Sequence, residues 1–456
     1  MSEKEITNSN INEQELFTVY IERFAYGGYG IGKLPGGKLV FVEGTYPGDL
    51  AEVEITQEKS DVAFARLKNL LEKSQYRRAP KCKYFGICGG CQMMDVKYEN
   101  QLDLKTQMVK EQLRRIAKIE IEVNPTIPSD LEFGYRNKME FAFSYNNGVV
   151  LGLKMRNSNR IVPINECPIS PSSFNKALEV VPEIVEMSKA RIYNPKIGTG
   201  TLKHLVMRYS HSNNQTMAIF VTKTERFEEG KFIRSELLRK APQINSIIHV
   251  MNSSDNIVLR GPYKTLYGSG VLDVEMDYEK FQVPPTAFFQ NNYHVASKMV
   301  EYVTKQLDLK GSERVLDLYA GVGTFTMRLA MLSKYVTAVE SSHISGKAGK
   351  ANANINNLRN VKYEEANVEE YVKAFDDEAD VIVLDPPRGG AGKGVCEEIL
   401  RIGPEKIAYI SCDPSTLARD LAILSEKYKI VAVQPFDMFP QTYHVETVVL
   451  MERLDR

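Results

Sequence analysis

The chain has 456 residues, 43% of them hydrophobic and 25% charged, with a formal net charge of +0. That length exceeds what one core supports and points to about two to four domains. The neutral balance singles out no polyanionic partner, and no apolar run approaches the ~18 residues a membrane helix needs. The opening MSEKEITNSNINEQEL is polar and lacks an apolar centre. It reads as a short disordered leader over 1–16, not a signal peptide, and the expected location is the cytoplasm.

Residues 17–74 alternate apolar runs with glycine turns, as in 26-YGGYGIG-32 and 35-PGGKLVFVEG-44. Short strands with such turns predict a small closed β-barrel, an architecture that often binds oligonucleotides on one face. Between 61 and 115, Lys and Arg outnumber Asp and Glu two to one, most densely at Arg77, Arg78, Lys81 and Lys83. Arg77 and Arg78, with Arg136 and Lys138 further on, are the candidate phosphate contacts.

Three of the six cysteines lie in 82-CKYFGICGGC-91. Glycines between them let the backbone curl so that sulfurs converge. Cys167, in 165-NECPIS-170, is the candidate fourth member with Cys82, Cys88 and Cys91. Four thiolates suit an iron–sulfur cluster or structural zinc. The C-x5-C spacing, longer than that of zinc knuckles, and the proline after Cys167 favour a [4Fe–4S] cluster. Disulfides do not suit a reducing compartment.

The stretch 97–119 places Tyr98, Leu102, Val109, Leu113 and Ile116 on one helical stripe. From 125 to 282 the pattern is that of strands. Residues 139–145 alternate, Asn147-Gly148 marks a hairpin, and 203–223 reads as a second hairpin. A β-rich middle domain is therefore drawn over 75–92 and 125–282, tied together by the metal site. From 284 onward a helix at 293–307 leads into strands at 314–321, 335–340, 380–385, 406–411 and 444–452, separated by helical stretches. That alternation predicts a doubly wound parallel sheet.

Such sheets bind ligands at the carboxyl ends of their strands. The first strand ends in 317-DLYAGVGTFT-326, and Glu340 closes the second, where a carboxylate meets a ribose diol. The two glycines fit NAD as well as S-adenosylmethionine. However, Thr326 stands where a dinucleotide site wants a third glycine, and this favours S-adenosylmethionine. In 384-LDPPRGG-390, Arg388 fills the slot where base-amino methyltransferases carry a stacking aromatic residue, so the methyl acceptor reads as a ring carbon.

Methylating C5 of a uracil requires a nucleophile on C6 and a base for the C5 proton. Cys412, in 410-ISCDPSTLARDL-421, is held in a loop by Asp-Pro-Ser at the mouth of a strand. Glu446, in 443-YHVETVVL-450, lies beside the last strand. Cys396, inside a helical run, reads as inert.

Together these segments resemble the bacterial RNA uracil-5-methyltransferases, most closely the branch that acts on 23S ribosomal RNA and carries an iron–sulfur cluster. The resemblance covers nearly the whole chain, through 82–91, Cys167, 288-FFQNN-292, 317–324, 384–390, 410–421 and 444-HVETVVLM-451. It implies a TRAM barrel at 17–74 and a catalytic domain of 93–124 with 283–456. It implies Cys412 as nucleophile and Glu446 as base. Gln290, Tyr319, Thr324, Glu340, Asn367 and Asp385 would line the donor and base pocket. It further implies S-adenosylmethionine and a [4Fe–4S] cluster as cofactors, 23S ribosomal RNA as partner, and a monomer. The alternatives weighed are a transfer-RNA uracil-5-methyltransferase and a non-catalytic RNA-binding protein.

Overall fold

The computed structural model describes residues 15–254 and 257–454. The expected leader over 1–16 lies almost wholly outside them. Contacts divide the chain into two compact units. One runs up to Ala79 and takes in Asp95–Lys97; the other comprises Pro80–Met94 and everything from Tyr98 onward.

The first unit is a closed barrel of β1 (Leu16–Ala25), β2 (Tyr29–Lys33), β3 (Leu39–Glu43), β4 (Leu50–Glu58) and β5 (Val62–Glu72), in the order β1-β2-β3-β5-β4. Alternate residues point inward, so Val19, Ile21, Val40, Val42, Val53 and Ala63 form its core. At Gly32 a Cβ would lie 2.3 Å from the Val19 side chain, so only glycine lets β1 and β2 approach there. Arg77 does not serve as the exposed phosphate contact expected of it. Its guanidinium donates to both Asp49 oxygens at 2.9 and 2.7 Å and to the Gly44 carbonyl at 2.8 Å. It also pairs with Asp95 and covers the Tyr46 ring. Asp49 is fully buried, so removing Arg77 would cost about 3–5 kcal/mol of barrel stability.

In the second unit, α1 (Tyr98–Gln112) ends in a π-helical turn, Leu113–Ala117. Its buried face is Gln101, Leu104, Lys105, Met108, Val109 and Leu113. This is rotated from the expected stripe, and Ile116 is exposed. The rotation arises because Lys105, which reads as a solvent residue, is fully buried in an ion pair with Asp437 at 2.5 Å.

The strand-rich region contains β6 (Lys138–Tyr145), β7 (Val149–Lys154), β8 (Ile161–Pro163), α2 (Ser172–Ser188), β9 (Leu202–Ser210), β10 (Gln215–Thr222), α3 (Gly230–Lys240), β11 (Ile244–Met251) and β12 (Tyr263–Tyr267). They form a sheet ordered β12-β11-β10-β9-β6-β7-β8. Both expected hairpins form, with Asn147 and Gly148 at positive φ in the first. The region is not all strand, however. Helix α2 buries Phe174, Ala177, Leu178, Val181, Ile184 and Val185, a helical spacing disguised by the interior Pro182.

A hairpin of β13 (Leu272–Met276) and β14 (Glu279–Val283) leads to α4 (Tyr293–Leu307), β15 (Arg314–Leu318), α5 (Thr326–Leu332), β16 (Tyr335–Glu340), α6 (His343–Ile355), β17 (Val361–Glu365), α7 (Val368–Ala374), β18 (Val381–Leu384), α8 (Gly392–Ile402), β19 (Lys406–Ser411), α9 (Pro414–Leu424), β20 (Tyr428–Phe436) and β21 (Glu446–Arg453). The sheet runs β17-β16-β15-β18-β19-β21-β20. It is parallel except at β21, which is antiparallel to both neighbours. Strand order reverses between β15 and β18, which opens a crevice at their carboxyl ends. One apolar cluster runs from Val206 and Ile219 through Phe281 and Met299 to Val315 and Val383, joining the mixed and parallel sheets. Among the described residues no helix is long and apolar enough to cross a membrane.

Candidate active site

The crevice is built from the ends of β15, β16, β18, β19 and β21. At the end of β15, Asp317 is buried and accepts a hydrogen bond from the Thr326 hydroxyl at 2.5 Å. Burial, then repulsion from Asp385 and Glu340, pushes its carboxyl up to about 7. Thr326, noted in the sequence only for not being glycine, thus anchors the turn to the strand. The turn itself is tight. Tyr319 has φ +63°, and a Cβ on Gly323 would lie 2.3 Å from Met327 and 2.7 Å from the Tyr363 hydroxyl. Glu340 accepts from the N–H of Gly321 at 2.9 Å and of Ser342 at 2.6 Å, which aims it into the mouth of the crevice.

Asp385 follows β18 and accepts from the Gln290 side chain at 3.0 Å. Gln290 is buried, and its carbonyl is held by Asn137 at 2.8 Å. Desolvation pushes Asp385 up to about 7. Thr324 sits half-buried in the β15 turn. Asn367 is exposed, and its side-chain oxygen caps α7 through the N–H groups of Glu369 and Glu370.

The last ladder pair between β19 and β21 is Ser411 with Thr447. Cys412 and Glu446 are the residues directly beyond that last pair, and they lie near enough for the Glu446 charge to act on the Cys412 thiol. Beyond Cys412 the chain leaves the strand because Asp413 caps α9, accepting from Ser415 and Thr416, and Pro414 starts the helix. Cys412 is half-buried and Glu446 buried. Burial and the charges of Glu446 and Asp385 push the Cys412 thiol up to about 12. Burial and Asp385 push the Glu446 carboxyl up to about 8. Arg388 opposes both shifts from the rim. Beside them, burial and nearby cations lower His444 to about 4, so the ring is neutral. Sequence reasoning passed over His444, and its place two residues before Glu446 was the available signal. Cys396 is fully buried in α8, as an inert thiol should be.

The candidate RNA contacts have different environments. Lys138 pairs with Glu140 at 2.7 Å, Arg136 lies 5.7 Å from the Phe439 ring, and Phe288, two residues before Gln290, is exposed.

Cys82, Cys88, Cys91 and Cys167 are free thiols in the second unit. They lie near enough to affect one another. Burial raises Cys91, and Cys167, Cys88 and Cys82 raise it further. Burial pushes Cys167 up to about 11, with Cys88 and Cys82 adding. The Cys82 and Cys88 sulfurs accept backbone N–H groups from Tyr84 and Gly90, each at 3.4 Å. Even so, among the described residues no group of three or more His, Cys, Asp or Glu side chains is arranged to hold a metal ion. The expected metal site is not shown among the described residues.

Comparison with known proteins gives the family. The profile of the tRNA (uracil-5-)-methyltransferase family matches residues 97–454. The chain belongs to this family. As an RNA (uracil-5-)-methyltransferase it also carries a TRAM domain, matched over 13–68, which is the closed barrel. It is 50% identical over 439 residues to a Thermotoga maritima protein described as an uncharacterised RNA methyltransferase, covering 96% of this chain and 99% of that one. A Clostridium tetani protein of the same description is 34% identical over 447 residues, covering 97% of each chain. Among solved structures, the Pyrococcus abyssi tRNA (uracil-54, C5)-methyltransferase in complex with S-adenosyl-L-homocysteine superposes with a TM-score of 0.76 at 28% identity. The match covers 95% of this chain and all of that one. The methyl donor of the methyltransferase is accordingly S-adenosylmethionine.

Proposed function

We propose that this enzyme methylates C5 of a loop uridine in 23S ribosomal RNA through a covalent adduct on Cys412. The observation that supports this reading is that Cys412 and Glu446 directly follow the last β19–β21 ladder pair, Ser411 with Thr447, with the Asp385 charge acting on both. Cys412 adds to C6 of the uracil while its thiol proton passes to O4, giving the enol that makes C5 nucleophilic; the O4 proton is lost to solvent as C5 takes the methyl group. S-adenosylmethionine supplies the methyl group that C5 takes up. Glu446 then removes the C5 proton, the C5–C6 double bond re-forms, and the thiolate leaves. Gln290 and Asp385 orient the reacting groups, Tyr319 and Glu340 line the donor cradle, and Thr324 and Asn367 stand at its edge. Phe288 offers a stacking face for a base extruded from a loop, where flipping costs least.

The acidic crevice suits a cationic donor. A sulfonium beside Asp385 and Glu446 favours their ionised forms, so binding releases protons when the free groups titrate near 7 and 8. Affinity for S-adenosylmethionine should therefore rise about tenfold between pH 6 and pH 8, since one pKa unit is one decade of affinity. S-adenosylhomocysteine, whose sulfur is neutral, should show a flatter profile by calorimetry. Equal slopes would separate these carboxylates from the donor.

The four cysteines fit a [4Fe–4S] cluster better than zinc. A single zinc needs all four sulfurs at about 2.3 Å from one point, whereas a cluster takes one thiolate per iron and spreads them. Two of the sulfurs, those of Cys82 and Cys88, accept backbone N–H groups, which supports thiolate ligands. Anaerobically purified protein should be brown with broad visible absorbance. Colourless protein with one zinc would overturn the cluster.

A second reading is a transfer-RNA target, favoured by the Pyrococcus abyssi enzyme. The barrel does not discriminate, because that tRNA enzyme matches 95% of this chain. Mapping 5-methyluridine in ribosomal and transfer RNA, from cells with and without the protein, decides between them. Loss confined to transfer RNA would overturn the 23S assignment and leave the chemistry standing.

A further inference from the structure

The segment 437–445 joins β20 to β21 and delivers Glu446, the first residue of its strand. Ladder bonds therefore stop at Glu446 on its upstream side, and the connection decides how the carboxylate is presented. Several parts of the second unit clamp that connection. Lys105 of α1 holds Asp437 at 2.5 Å and the Phe439 carbonyl at 3.1 Å. Tyr135 donates to the Pro440 carbonyl at 2.9 Å.

Gln441 is the centre of this arrangement. It is fully buried and held at φ +71°, a conformation that costs a non-glycine residue strain. Its carbonyl accepts from the N–H groups of Gln92 and Met93 at 3.0 and 2.9 Å, the two residues directly after Cys91. Its own N–H donates to the Gln101 side-chain oxygen at 2.9 Å. The Gln101 amide nitrogen donates back to the Gln441 side chain and to the Met93 carbonyl, both at 3.0 Å. The far end of the Gln441 side chain reaches the Glu132 carbonyl at 3.3 Å. Beyond it, Thr442 turns back to Phe439, and His444 donates its N–H to the Thr442 hydroxyl. Two reciprocal amides thus join the end of the cysteine loop to the run that ends in Glu446. Nothing in methyl transfer requires that junction, and a strained, fully bonded residue beside an active site marks a position set by function.

We propose that Gln441, through Gln101, is a positioning residue that fastens the Glu446-bearing segment to the four-cysteine loop. Disordering the cysteine loop then loosens the base and slows release of the covalent intermediate more than its formation. The inference rests on the roles proposed above for Cys412 and Glu446.

Gln101→Glu keeps the side chain's size but sets an acceptor against the Met93 carbonyl and the Gln441 side-chain oxygen. Gln441→Gly keeps the positive φ and removes the side chain. Cys88→Ser disturbs the loop from its other end. In the full-length protein, hydrogen exchange at 442–446 should quicken about tenfold in all three, with exchange in β15 unchanged as the control for an intact fold. With RNA and S-adenosylmethionine, adduct release should slow about 10- to 100-fold, the range expected when a catalytic group is displaced by ~1 Å. Adduct formation should change less. Unchanged exchange at 442–446, or equal slowing of formation and release, would overturn the proposal. If Gln101→Glu does not fold, Gln441→Gly carries the same comparison. Wild-type protein that forms no Cys412-linked adduct with 5-fluorouridine RNA would sink the covalent mechanism, and the exchange arm would still decide whether the two loops are fastened.

Discussion

Cys412→Ala protein will bind S-adenosylmethionine with near wild-type affinity and transfer no methyl group to RNA. The expected loss is at least about 10^4-fold, the scale seen when a nucleophile is removed. Two features of the site separate binding from chemistry. The donor cradle is held by the Thr326–Asp317 and Gly321–Glu340 bonds and by the strained Tyr319 turn, none of which involves Cys412. The thiol, pushed up to about 12, is also neutral in the resting site, so its removal takes no charge from the donor pocket. Calorimetry with the donor and methyl transfer to bulk RNA from a strain lacking the enzyme read the two properties apart. Residual methylation above a few parts in ten thousand would remove Cys412 as nucleophile.

Glu446→Gln should fail at a different point. The amide keeps the shape at the head of β21, so the thiol still adds and C5 still takes the methyl group. The C5 proton then has no acceptor, because Gln cannot take it up. His444, lowered to about 4 and so neutral, and Asp385 are nearby groups able to substitute slowly. A covalent protein–RNA species should accumulate and survive denaturing electrophoresis, while wild-type protein releases product. RNA containing 5-fluorouridine should trap the wild type in the same form, since fluorine does not depart as a cation. Normal turnover by Glu446→Gln would mean that another group is the base. The raised Glu446 carboxyl also sets the pH dependence: as a base it must be ionised, so the release step should quicken as pH rises towards about 8.

The catalytic half was readable where structure is local. Helix α4 and strands β16 and β19 fall on the residues that periodicity assigned to them, because apolar strands buried on both faces and amphipathic helices differ plainly in pattern. Helix α2 was hidden by Pro182, and the face of α1 was misjudged because two of its buried residues are Gln101 and Lys105. Arg77 was mistaken for a nucleic-acid contact because its two carboxylate partners, Asp49 and Asp95, lie 28 and 18 residues away. A charge run says how many cations are present and nothing of which are already neutralised.

The amino-acid sequence by itself determined the strand–helix alternation, the closed barrel's glycine turns, and a cysteine thrown out of a strand by Asp413 and Pro414. Each of these is settled by residues within a turn or two of one another. Only the tertiary structure decided which polar groups are buried, and against what. Lys105 meets Asp437 across 332 residues, and Gln101 meets Gln441 across 340. Thr326 takes up Asp317, and Ser411 and Thr447, the neighbours of Cys412 and Glu446, are paired by two strands that are not consecutive in the chain. Such pairs leave no periodic trace. Their partners are brought together by the packing of apolar faces elsewhere, and the cost of burying an unpaired polar group then selects the residues that meet.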